Sequence, residues 1–274
     1  MTTVEDERFR YTSAPERREK LVQYIADQGY CTIGALSEAL GVSEMTIRRD
    51  VLRLVEQGRV CGFRGGVGAV SRQDIVGSDY AYRDLKMGPA KRAIARAAIE
   101  LVGPASVIAL DAGTTTNQVA RMMPTDRKLQ VVTHSLPAVS SMVGNAGVEI
   151  VCLGGILHKE SLSFAGPATL AAIDGLQIEI LFLAASGISD RGAFCGNGFD
   201  AITKRVLIDV AENVVLLADS SKFDIAAMLR ICDWDTIDTI VIDDGVTADQ
   251  VRMFEQHGVQ VMAVAVREDA AVVS

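Results

Sequence analysis

Ser43-Glu44-Met45-Thr46-Ile47-Arg48-Arg49-Asp50-Val51-Leu52-Arg53-Leu54 is the stretch from which the front of the chain is read. Ser43 is a natural N-cap, able to accept from the Thr46 backbone N–H, and the spacing predicts a helix from Glu44 to about Val55. At 3.6 residues per turn Ile47, Val51, Leu54 and Val55 share one face and want a core. The opposite face carries Met45, Thr46, Arg49 and Arg53, with Arg48 on one flank and Asp50 on the other. An apolar back and an arginine-bearing front suit a DNA major groove, where arginine pairs with guanine O6 and N7 or with phosphate oxygens. An ordinary surface helix with solvated charges would show the same pattern, so the flanks decide.

Ser13-Ala14-Pro15-Glu16 reads as a capping box that opens a first helix burying Leu21, Val22 and Ile25, ended by Gly29 and Tyr30. Thr32 caps a second, short helix with Ala35, Leu36, Ala39 and Leu40 inward, stopped by Gly41. Only Gly41 and Val42 separate it from the Ser43 cap, the tight turn of a helix-turn-helix. Downstream, Gly58 to Val67 reads as a small hairpin, a wing that offers Arg59 and Arg64 to phosphates.

The run Val42-Ser43…Thr46-Ile47-Arg48-Arg49-Asp50-Val51…Leu54…Gly58…Arg64-Gly65-Gly66 resembles the winged helix-turn-helix of the DeoR family of bacterial transcriptional regulators. The resemblance covers residues 14–69, with the helix-turn-helix at about 31–50, and it implies DNA contacts from Ser43, Met45, Thr46, Arg48, Arg49, Arg53 and Arg64.

The bulk numbers permit this reading. The net charge of −8 counts against DNA binding only until it is placed. Residues 1–70 hold ten Lys/Arg and ten Asp/Glu, so the whole excess lies in 71–274, where seventeen basic residues face twenty-five acidic ones. Between Ser43 and Arg64 five arginines face three acids, a locally basic surface of the kind phosphate contacts need. The acidic N-terminus Met1–Glu7 lacks an apolar signal region, and no apolar run approaches a membrane span. A cytoplasmic protein without membrane partners is the expectation. The five cysteines (Cys31, Cys61, Cys152, Cys195, Cys232) are widely spaced, which argues against zinc and against a disulfide framework. Cys195, in a Gly-rich stretch, is the candidate for exposure. No metal and no cofactor is expected.

Residues 70–87 show no clean period and read as a linker, with a short ordered piece around Tyr80–Tyr82. Pro89 then sits early in a helix running to about Val102. Beyond it, apolar runs at 107–110, 129–132, 148–153, 180–183, 214–217, 237–242 and 259–264 alternate with amphipathic stretches near 115–123, 136–144, 167–175, 201–211 and 247–256. Such alternation, with strands apolar throughout, predicts an α/β domain over residues 88–267, Rossmann-like, with a mostly parallel sheet covered on both faces.

In such a sheet ligands bind beyond the carboxyl ends of the strands, where this chain places its polar bursts. They are Asp111-Ala112-Gly113-Thr114-Thr115-Thr116, Thr133-His134-Ser135, Gly154-Gly155, Ser186-Gly187 and Asp219-Ser220-Ser221-Lys222. Taken singly, each reads as a turn, a cap or a solvated charge. Together they suit a phosphate, with free N–H groups and hydroxyls at the helix start of Thr114–Thr116 and the full charge of Lys222.

The same segments, with Thr203-Lys204-Arg205, resemble the DeoR-type sensor domain, whose fold is that of sugar-phosphate isomerases. The resemblance implies a pocket lined by Asp111, Gly113, Thr114 and Thr115, with Thr116, Thr133, His134, Ser135, Gly155, Ser186, Asp200, Lys204 and Lys222 around it. Three positions depart from the family pattern. His134 stands where Asn is common, Ser186 where an acid is common, and Asp200 where Glu is common. The implied function is a repressor of a sugar or polyol catabolic operon. Its partners are a double-stranded DNA operator and a phosphorylated sugar or polyol effector, and it acts as a homodimer or homotetramer. The alternative is a sugar-phosphate isomerase or deaminase carrying an accessory DNA-binding module.

Overall fold

Contacts divide the chain into two units that meet in sequence at Asp74 and Ile75, and apolar clusters form separately in each. The computed structural model of the protein describes residues 13–28, 30–57, 59–63, 66–69, 80–103 and 106–266.

In the first unit, helices α1 (Ala14–Gln28), α2 (Ile33–Leu40) and α3 (Glu44–Glu56) pack beside strands β1 (Tyr30–Thr32), β2 (Val60–Phe63) and β3 (Gly66–Ala69). The turn chemistry follows the residues. Thr32 Oγ1 accepts from Ala35 N at 3.1 Å, Gly41 ends α2 at φ 63, and Ser43 Oγ accepts from Thr46 N at 3.3 Å. Gly41 meets the left-handed requirement because it has no Cβ to clash. Leu21, Ile25, Leu36, Ile47 and Leu54 are all 0% exposed, each contributing about 1.5–3 kcal/mol by burial. Two expectations are corrected. Ala35 is exposed, leaving Leu36 as the buried residue of α2. Tyr30 does not merely end α1 but opens β1, which pairs antiparallel with β3 in the order β1-β3-β2. Three residues are too few to show a period, so this strand is stabilised by its wing partner. Gly29, Gly58, Arg64 and Gly65 lie outside the described residues, as do residues 70–79.

The second unit opens with α4 (Tyr80–Leu85), where only a short ordered piece was expected, and continues into α5 (Gly88–Ile99). Its centre is a seven-stranded sheet of β4 (Val107–Leu110), β5 (Leu129–Thr133), β6 (Val148–Cys152), β9 (Ile178–Ala184), β12 (Ala211–Ala218), β14 (Thr239–Asp243) and β15 (Gln260–Val264). The order is β15-β14-β12-β9-β4-β5-β6, and every pairing is parallel. The helices α6 (Thr114–Arg121), α7 (Leu136–Met142), α8 (Pro167–Ile173), α9 (Gly198–Asp209) and α10 (Ala248–Gln256) supply the layers. The period of two along β9 shows both faces covered. Phe182 packs with Ile94, Val119 and Ala138 from α5, α6 and α7, whereas Leu181 and Leu183 pack with Ile173, Leu207 and Phe254 from α8, α9 and α10.

Short antiparallel pieces decorate this frame without having been legible in the sequence. They are the hairpin β7 (Ile156–His158) with β8 (Ser163–Ala165), and the sheet of β10 (Gly187–Ser189), β11 (Gly192–Cys195) and β13 (Leu229–Cys232). Cys195 is buried at 1% exposure, contrary to expectation, because β11 lies inside that sheet, while Cys152 is exposed at the end of β6.

Gly155 starts the β7 hairpin at φ 131, and a Cβ there would stand 2.2 Å from Thr169 Oγ1 and 2.8 Å from Ala165 O. Thr169 Oγ1 is already committed to Gly154 O at 2.6 Å. Gly155→Ala is expected to cost at least about 1–3 kcal/mol from backbone strain alone, read as a drop of several degrees in Tm. An unchanged Tm would show that the hairpin relaxes freely.

Candidate functional site

The front of α3 is open to solvent. Met45 is 74% exposed, and Arg49 and Arg53 are exposed beside it. Arg48 pairs with Glu44 at 3.4 Å, a solvated i,i+4 contact that competes weakly with a phosphate. Ser43 and Thr46 hydroxyls meet at 3.0 Å, so both serve the cap as well as the surface. Asp50 is corrected. It is not a flank residue but is 3% exposed, accepting from Arg17 Nε at 2.6 Å across to α1. The pair lines a cavity of about 270 Å³ together with Ser43, Thr46, Arg49 and Arg53. Arg59 is corrected as well. Both of its terminal nitrogens donate to Glu19 at 2.6 Å, which ties the base of the wing to α1. Arg64 lies outside the described residues.

In the second unit the carboxyl ends of β4, β5 and β9 meet around Asp111, which is 0% exposed. Its Oδ2 accepts from Ala184 N at 2.9 Å and from Lys204 Nζ. Lys204 also donates to Ala184 O at 3.2 Å. Burial works against the Lys204 charge, but Asp111 and Asp200 together outweigh it and its pKa is raised. Asp111 Oδ1 faces His134 Nε2 at 3.6 Å, too long for a hydrogen bond. Among the described residues neither ring nitrogen of His134 finds a partner, although the side chain is 0% exposed. Burial lowers the His134 pKa and Lys204 adds to this, against Asp111 and Asp200. Asp200 sits at the Asn197-capped start of α9, its Oδ1 reached by Ser163 Oγ at 3.5 Å and its Oδ2 by Asn197 Nδ2 at 2.9 Å. Asp111, His134, Lys204 and Asp200 thus form one buried cluster.

Gly113 caps α6 where a Cβ would stand 2.6 Å from Ala184 Cβ. The first turn of α6 therefore lies directly over the end of β9. Thr116 Oγ1 is spent on Asp111 O and Gly113 O at 2.6 and 3.0 Å. Thr133 Oγ1 is spent on Leu110 O at 2.7 Å, and Ser135 Oγ caps α7 by accepting from Ala138 N at 3.3 Å. These three hydroxyls hold the loops. Thr114 and Thr115 are buried, and no bond to another described residue engages either hydroxyl. Ser186 is half-buried, its N–H donating to Phe194 O at 2.8 Å in the β10–β11 sheet. Lys222 lies within 3.9 Å of Asp219 on the turn after β12 and is not among the partners of the Asp111 cluster.

Sequence reasoning missed Lys91. It is 2% exposed and donates to Arg83 O, and its charge is felt by Lys222, Asp219, Asp84 and Arg83. Burial, then Lys222, push its pKa down to about 7. The signal was available: Lys91, Ile94, Ala95 and Ala98 follow the i, i+3, i+4, i+7 spacing of a buried stripe, and a lysine is out of place on it. Among the described residues no cluster suits a metal ion, and no helix is long and apolar enough to cross a membrane.

Residues 17–73 match the DeoR-like helix-turn-helix domain and residues 87–244 the DeoR C terminal sensor domain. The chain belongs to the DeoR family. Among its curated relatives, a protein named for repression of the aga operon in Escherichia coli O157:H7 is 32% identical over 93% of this chain and 96% of its own. The transcriptional regulator GlpR of Haloferax volcanii is 30% identical over 90% of this chain and 96% of its own. The L-fucose operon activator of Haemophilus influenzae is 30% identical over 89% and 97%. The DeoR helix-turn-helix of this chain is thus the unit carrying the exposed front of α3, and its sensor is the unit carrying the Asp111 cluster.

His134 yields a pH prediction. Its folded pKa lies below the ordinary 6.5, so as pH falls past about 6.5 the unfolded chain takes up the proton first and stability is lost. The loss is bounded at about 1.4 kcal/mol per pH unit for one group. Between pH 8 and 5 the parent is expected to lose Tm more steeply than His134→Asn. Parallel curves would show that His134 does not carry this acid sensitivity.

Proposed function

We propose that the protein is a transcriptional repressor of a sugar or polyol catabolic operon, and that a phosphorylated sugar or polyol binding to its sensor changes its affinity for an operator. The observation that carries this reading is one chain joining the arginine-bearing front of a Ser43-capped helix to a DeoR sensor whose strand ends leave hydroxyls and lysines for a ligand. The relatives' names include both repression and activation of sugar operons, which supports the class of regulated gene more strongly than the sign. In this reading Met45, Thr46, Arg48, Arg49 and Arg53 face the major groove, with Ser43 and Arg64 on the backbone. The Gly113–Thr116 helix start takes the phosphate, aided by Lys222. The Asp111 cluster with Thr133, Ser135, Gly155 and Ser186 shapes the sugar end. The protein works in the cytoplasm as a homodimer or homotetramer, since one winged helix covers too little DNA for a unique genomic site.

An isomerase or deaminase with an accessory DNA-binding module is the weaker reading. General acid–base catalysis needs a group free to exchange a proton with substrate. Asp111 and His134 are instead both 0% exposed, and Asp111 Oδ2 is spent on Lys204 and on Ala184 N. Incubation with candidate sugar phosphates tests this directly, turnover favouring the enzyme.

Arg49→Ala is expected to weaken operator binding by about 1–3 kcal/mol if Arg49 reads a guanine. Unaltered gel shifts at matched salt would remove it from the interface. The effector is to be found by a thermal-shift screen over phosphorylated sugars and polyols, since a ligand of the native state raises apparent stability. Lys222→Ala should then keep operator affinity and need at least about tenfold more effector for the same response, as befits loss of a charged donor. A parental response would exclude Lys222 from the site.

A further inference from the structure

The chain passes from β3 through residues 70–79 into α4, which makes α4 the first described element of the sensor unit. Its contacts include three to other parts of the sensor. Tyr80 N donates to Glu160 O at 2.8 Å, Arg121 at the end of α6 reaches Asp84 Oδ2 at 3.6 Å, and Lys91 Nζ donates to the Arg83 carbonyl. The second contact is long, and Asp84 Oδ1 is buried with no partner among the described residues. Among the described residues, one buried acceptor of α4 is therefore unanswered.

Lys91 lies between this helix and the turn after β12 that carries Asp219 and Lys222. Because α5 precedes β4, it runs against the strand direction, and its first turn stands at the carboxyl edge where α6 begins. An ammonium buried on an apolar helix stripe, with one neutral carbonyl as its recorded acceptor, carries a large desolvation cost that calls for an anion. The groups facing it are Arg83 and Asp84 from α4, and Asp219 and Lys222 from the turn after β12. Of these, Asp84 is already engaged by Arg121 and Asp219 lies beside Lys222.

The geometry points to Lys91 as a strut between ligand and linker helix, donating one hydrogen bond to the effector phosphate and another to the Arg83 carbonyl, so that phosphate capture docks α4. This rests on the reading that phosphate sits at the start of α6. The physical sequence is short. Near neutral pH burial and Lys222 leave the Lys91 charge only partly held. A dianion beside it restores the charge, and a charged donor bonds a carbonyl roughly twice as strongly as a neutral one. The carbonyl it bonds belongs to the helix through which the chain enters the sensor. Binding is thereby felt where the DNA-reading unit is attached, which is the differential contact that coupling requires.

Amide hydrogen exchange on the full chain tests this, with inorganic phosphate as probe against chloride at matched ionic strength. Phosphate is expected to slow exchange several-fold over residues 112–118 and also over 80–86, beyond any slowing in β15, which reports general stabilisation. In Lys91→Met, apolar on an apolar stripe, saturating phosphate should still slow 112–118 while 80–86 follows β15. Slowing at 112–118 without 80–86 in the parent would overturn the strut and leave the pocket standing. So would parental behaviour of 80–86 in Lys91→Met. No slowing at 112–118 would overturn the phosphate reading and the strut with it.

Discussion

The sensor depends on one buried ion pair. Asp111, at the end of β4, takes a hydrogen bond from the backbone of Ala184 at the end of β9, and Lys204 from α9 closes on the same oxygen while donating to the Ala184 carbonyl. Two neighbouring strands and a helix from the opposite layer are pinned at one point. Burying two charges costs several kcal/mol per ion, and the attraction offsets this only with good geometry and further hydrogen bonds. Here the backbone of Ala184 supplies them. The pair therefore does more to specify the arrangement of strand ends than to add net stability. Everything proposed for the ligand hangs from it, since Asp111 O also holds the Thr116 hydroxyl at the first turn of α6.

The DNA-binding unit uses the same device on a smaller scale. Asp50 lies in the Thr-Ile-Arg-Arg-Asp string, between two arginines of the helix front, yet turns inward to Arg17. Had it stayed at the surface, its charge would have offset those of Arg49 and Arg53 on the exposed front. Paired with Arg17, it instead sets the angle of α3 against α1. The bidentate Arg59–Glu19 contact does the same for the wing. Asp50, which reads as a flank of the exposed face in sequence, is a positioning group in the folded unit.

The difference marks what could be read in advance. The inner strands β4, β9, β12 and β14 carry continuous apolar runs, and their positions follow from hydropathy because both faces are covered, whereas the edge strands β6 and β15 are partly exposed. The α3 helix follows from its Ser43 cap and the Ile47, Val51, Leu54 stripe. Strands β1, β7, β8, β10, β11 and β13, each three or four residues long, carry too few residues for a period and exist only through partners distant in sequence. The loop polar groups were legible as a set but not by role. Thr116, Thr133 and Ser135 bond backbone, Asp111 and Lys204 bond each other, and the hydroxyls of Thr114 and Thr115 have no partner among the described residues. Lys91 went unread although its place on an apolar stripe announced it. A charge at a core position is a stronger signal than a charge in a polar loop, because it is the costlier of the two.

Charge placement also distinguishes the two ends of the proposed pocket. The sensor as a whole is acidic, so an anion needs a local excess of positive charge. Lys204 does not provide one, because Asp111 and Asp200 both act on it. Lys91 and Lys222 share Asp219, and Asp84, the other acid near Lys91, is partly answered by Arg121. The surplus therefore lies on the α5 side, where Lys91, Lys222 and Arg83 gather around Asp219 and Asp84. That is the side proposed for the phosphate. The Asp111–His134 side has no such surplus. It presents a carboxylate oxygen and two imidazole nitrogens without partners among the described residues, groups that can accept and donate at short range. Such a set suits hydroxyls, and a molecule carrying a phosphate at one end and hydroxyls at the other would match both sides without setting a buried charge against a like charge.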